Sequence, residues 1–156
     1  MDIKALENAL DKDSCSDKIL EETSESVADK IVQAIKPLHL PSYEMEKTLR
    51  ALKGYRYIGQ LDDLEYGAYV RWINLDRGKL KLTNGGFVIE VKIDDVGPAI
   101  VCKQHLGKVF QFHFNRCLAF QKLTQEEIII LRALQLAKTR KHSPAPAEFA
   151  HRPDVL

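Results

Sequence analysis

Four side chains able to hold zinc, Cys102, His105, His113 and Cys117, fall within a sixteen-residue stretch, and thiolate and imidazole are the usual ligands of structural zinc. Strand alternation argues against their convergence. If Ile100 points inward then Cys102 does too, whereas His113 lies opposite Phe112 and Phe114, and Cys117 is out of phase with Leu118 and Phe120. Ligands divided between the two faces of a thin sheet cannot meet at one ion. The spacing therefore predicts buried cysteines, a surface histidine and no metal or other cofactor. The carboxylate pairs Asp62-Asp63 and Asp94-Asp95 stand in turn-forming stretches. No nucleophile elbow, Walker loop or H-E-x-x-H motif accompanies them, so catalysis is not expected.

Asn84-Gly85-Gly86 poses a similar choice between chemistry and geometry. A phosphate cradle needs backbone N–H groups converging at a helix start, with Lys or Ser/Thr after the glycines. Here Phe87 and a clean strand follow. The triplet predicts a tight hairpin whose second glycine opens the next strand with a bulge.

Recognition chemistry is better represented. Arg71, Trp72, Arg77, Lys79 and Lys81 crowd one part of the chain, and Lys103, Lys108, His113 and Arg116 decorate the part after it. Gathered by a fold, these nine would make a basic stripe with an exposed or half-exposed tryptophan, suited to phosphate or to a protein partner. The alternative is a solvated face in which the cations pair with Glu65, Asp76 and Glu90.

The elements that must position these groups follow from periodicity. Ser14 and Asp17 form a capping-box pattern ahead of Leu20, Val27, Ile31 and Ile35, which predicts a helix over 16–36, with a shorter one over 2–11. Ser42 is placed to cap a third helix carrying Met45, Leu49 and Leu52, closed by Gly54. From Tyr55 the period becomes two. Seven short segments, "YRYIGQL", "GAYVRWINL", "KLKL", "GFVIEVKI", "PAIVCK", "KVFQFHF" and "CLAFQKL", read as strands. Phe87, Ile89, Val91 and Ile93 share one predicted inner face, and Phe110, Phe112 and Phe114 another. Thr124 and Glu127 then form a second capping box before a helix to about Lys138. The Pro-containing tail, 140–156, is expected to be disordered or ordered by a partner. The domain reading is 1–54 helical, 55–139 a small β-barrel with its closing helix, and 140–156 tail. The fold class is α+β, a strongly curved antiparallel barrel with N-terminal helices and a C-terminal helix packed on it, because closure removes exposed edges.

Charge sets limits on partners. The whole chain is formally +1, but residues 1–54 carry 8 Lys/Arg against 11 Asp/Glu and residues 55–123 carry 10 against 7. Three cysteines without C-x-x-C spacing point to a reduced, intracellular setting, cytoplasmic or nuclear. The most apolar run, 128–137, is about half of the roughly 20 residues a membrane helix needs, so no membrane is expected.

The run "EYGAYVRWINL", "NGGF", paired strands and a closing helix resembles an SH3-like small barrel of the Tudor or Sm type over about residues 55–123. The stretches "GAYVRWINL", "KLTNGGFVIEVKI" and "CLAFQKLTQEE" also resemble small uncharacterised proteins of nucleocytoplasmic large DNA viruses, which implies a virion component. The function expected is a non-enzymatic interaction or scaffolding module, its partner another protein or a second copy of itself. Nucleic-acid binding through the basic stripe is the alternative.

Overall fold

Val27, Ile31 and Ile35 recur at helical spacing, and helix α1 (Ser24–Ile35) buries all three. The computed structural model describes residues 24–142; the helix expected over 2–11, the first turns of the helix over 16–36 and residues 143–156 of the tail lie outside them. A 3-10 turn, Lys36–Leu38, leads towards helix α2 (Ser42–Ala51). Ser42 is the first residue of α2 and not its cap. Pro41 takes the N-cap place, with no side-chain cap bond, and its carbonyl accepts the Met45 N–H at 2.9 Å. Gly54, at φ +86°, turns the chain into the sheet.

Six strands follow: β1 (Tyr55–Ile58), β2 (Tyr69–Asn74), β3 (Gly86–Asp94), β4 (Gly97–Lys103), β5 (Val109–His113) and β6 (Cys117–Lys122). They form one antiparallel sheet in the order β1-β6-β2-β3-β4-β5. β1 and β5 are its two edges, so the hydrogen-bonded ladder is open where a closed barrel was expected. It is nonetheless strongly curled. In a flat sheet β2 and β5 would lie three strand spacings, about 14 Å, apart, yet the rings of Trp72 and Phe112 stack with centroids 4.4 Å apart.

Alternation sends neighbouring side chains to opposite faces. The concave face collects Ile58, Val70, Trp72, Val88, Ile100, Cys102, Phe112, Cys117 and Ala119. The convex face of β2 and β6 carries Ile73 and Phe120, packed with Ile31, Ile35 and Leu52 from the helices. Residues 25–123 form one compact unit, and helix α3 (Gln125–His142) belongs to a second. Its start matches the capping box: Thr124 N–H donates to Glu127 Oε1 at 3.0 Å, and Glu127 N–H to Thr124 Oγ1 at 3.1 Å. Among the described residues no helix is long and apolar enough to cross a membrane.

Two bulges shift the faces of the sheet from those that strict alternation predicts. Val88 pairs with Cys102 but Glu90 pairs with Val101, which leaves Ile89 as one extra residue in β3. A one-residue slip inverts the faces. Val88 is thus buried while Phe87 and Ile89 face outwards, and Val91 rejoins the concave side. Ile93, expected inside, is 82% exposed at the end of the hairpin. The second bulge corrects the reading of Asn84-Gly85-Gly86. Ile73 pairs with Leu82 and Val70 with Gly86, three steps on β2 against four on its partner. The triplet is a bulge within one bent arm beside β2, not a hairpin turn. "KLKL" is accordingly no full strand, and only Leu82 makes a bridge.

Candidate ligand-binding cleft

Leu80 and Leu82 pack against the convex-side core. Alternation then directs Lys79, Lys81 and Thr83 the other way. Four hydrogen bonds pin this arm to β2: Thr83 N–H donates to the Trp72 carbonyl at 3.0 Å, Trp72 N–H to Thr83 Oγ1 at 3.1 Å, Arg71 Nε to the Thr83 carbonyl at 2.7 Å, and the Tyr69 hydroxyl to the Asn84 carbonyl at 2.6 Å.

Between this arm and edge strand β5 lies a cleft of about 600 Å³. Trp72, Phe110 and Phe112 supply its apolar surface. Arg77, Lys79 and Lys81 supply cations, and Asn74, Thr83, Asn84, Gln104 and Gln111 supply uncharged donors and acceptors. No carboxylate lines it. Among the described residues no carboxylate pairs with Arg77, Lys79 or Lys81 either.

The expected stripe is therefore divided. Arg77, Lys79, Lys81 and Trp72 converge on the cleft, but Trp72 is only 8% exposed and stacked on Phe112, so it is not the half-exposed ring that was expected. Arg71 sits across from Phe120, on the convex face. Lys103 is in register with Phe87 and Val109, on the side away from Cys102 and the concave core. Lys108 does not line the cleft; its Nζ lies 5.1 Å from the centroid of the Phe110 ring. Arg116 pairs with Asp76 at 3.6 Å, and His113 Nε2 lies 2.8 Å from Asp94 Oδ2. Both are tied to carboxylates. The amides of the cleft had no sequence signal, because they come from four separate segments that only the curl of the sheet brings together.

The zinc candidates do not assemble. Cys102 and Cys117 belong to the concave core, while His113 faces Asp94. No group of three or more potential ligands that could hold a metal occurs among the described residues. Burial pushes the Cys102 thiol up to about 12 and the Cys117 thiol to about 11, the latter also raised by Asp76 and partly offset by Arg77. Both stay protonated at neutral pH and are poor nucleophiles.

The His113 ring, followed by the Val96 N–H, holds the Asp94 carboxyl below its ordinary value of 3.8. A carboxyl whose folded value is depressed stabilises the fold above its unfolded value, and loses that contribution as pH falls through the folded one. Carboxyl-detected NMR titration should place Asp94 below 3.8, and in His113→Ala the value should move upwards towards it. An unchanged Asp94 titration in the variant would assign the shift to the turn N–H groups alone.

No protein family, curated protein or solved structure matches this chain.

Proposed function

We propose that this protein is a non-enzymatic binding module that takes an anionic partner into the cleft, on a sheet of SH3-like small-barrel type. The barrel reading is supported by the uninterrupted antiparallel run from β2 to β5, the 3-10 turn Phe114–Arg116, the return of β6 to β2, and the curl that stacks Trp72 on Phe112. The binding reading rests on one observation. Three cations that pair with no carboxylate among the described residues line one recess, and no carboxylate is among the residues lining it. Like charges held together raise the local potential, and a bound anion relieves it.

Equilibrium binding of a fluorescent inorganic polyphosphate across a salt series tests this. Affinity should fall steeply with salt. Joint replacement of Arg77, Lys79 and Lys81 by alanine should remove most of the binding and most of its salt dependence. Lys103→Ala, on the convex side, should leave both nearly unchanged. Equal losses from the Lys103 variant and the triple variant would point to diffuse surface charge and sink the cleft.

A further inference from the structure

We propose that the anion is a single-stranded nucleic acid, its phosphates lying against Arg77, Lys79 and Lys81 and one base entering beside Phe110. The inference rests on the anion-binding reading and adds the chemistry of the ligand. Strand-tolerant binders of nucleic acid combine a cationic groove with aromatic rings on which bases stack. Here the two features share one recess. Phe110 is the ring available for this: it is only partly buried, whereas Trp72 and Phe112 occupy each other's faces. Lys108, its Nζ 5.1 Å from the Phe110 ring centroid, adds a further cation beside that ring.

The polar lining narrows the choice. Asn84 and Gln104 line the recess, and a side-chain amide carries both an acceptor and a donor pair, which suits the mixed edges of nucleobases. An acidic peptide would satisfy the cations through its carboxylates and its backbone N–H groups could reach the amide carbonyls, but oligoglutamate carries no ring to stack on Phe110. Duplex is disfavoured by shape, since base reading in duplex requires a convex element to enter a groove about 12 Å wide, and these cations line a hollow. A methylated ammonium is disfavoured by charge, because Arg77, Lys79 and Lys81 would repel the cation that an aromatic cage attracts.

Fluorescence anisotropy on the full chain can separate these cases, using labelled oligo-dT, oligo-U, a duplex of mixed sequence, oligoglutamate and polyphosphate. The strands should bind more tightly than the duplex and oligoglutamate, with oligo-dT and oligo-U deciding between DNA and RNA. Phe110→Leu, confirmed folded by circular dichroism, should weaken strand binding roughly fivefold or more, a larger factor than its effect on polyphosphate. Strand affinity insensitive to Phe110→Leu, or oligoglutamate binding as tightly as the strands, would overturn the inference and leave the anion cleft standing. Failure of every anion to bind would remove both.

Discussion

Gly85→Ala is expected to cost about 2–5 kcal/mol of folding stability, a large share of the roughly 5–15 kcal/mol that holds a domain of this kind together. Two effects add. At φ +88° an L side chain is strained, and a Cβ at this position would lie 2.2 Å from the Val70 carbonyl oxygen. That neighbour is backbone in the buried strand β2 and cannot turn aside. Gly107 provides the control, because it has the same φ of +88° but a Cβ there would meet nothing within 4 Å. Gly107→Ala should therefore lose only the conformational part, about 1–2 kcal/mol. Urea unfolding of the two variants measures the difference directly. Equal midpoints would mean that the bulge relaxes around the methyl group, and that the close approach of the arm to β2 does not constrain the cleft wall.

Phe112→Ala should be about as damaging, at about 3–5 kcal/mol. Phe112 is 4% exposed, and its ring stacks on Trp72 across the gap between an edge strand and the middle of the sheet. Removing it leaves a cavity where the curl is held by side chains alone, since no backbone ladder joins β5 to β1. The urea midpoint should fall, and the near-ultraviolet signal of Trp72 should lose its fixed environment. Ligand binding should fall with it, since the ring is also part of the cleft floor. A variant with native stability but altered Trp72 fluorescence would show that the stack reports on the curl without maintaining it.

Local signals carried much of the architecture. The change from helical to two-residue period at Tyr55 located six of the seven segments expected to be strands. The Thr124–Glu127 box formed both of its hydrogen bonds. The inner face of "VFQFHF" was legible because β5 has no bulge, and Phe112 is buried with Phe110 and Phe114 against the same core. β3 shows where such reading stops. Its apolar residues alternate cleanly, but the extra residue at Ile89 shifts the phase, and a bulge arises from pairing with β4, not from the strand's own sequence.

Local sequence sets which segments extend, where helices α2 and α3 begin to within a residue, and which residue types are available for recognition. Those properties depend on backbone preferences and periodicity over a few neighbours. Which cations share a site depends on long-range packing. Arg77, Lys79 and Lys81 meet Gln104, Phe110 and Gln111 because the sheet curls, whereas Arg71 and Lys103 are turned to its other face. The curl brings Trp72 onto Phe112, forty residues apart in the chain, and no local pattern encodes a contact at that separation.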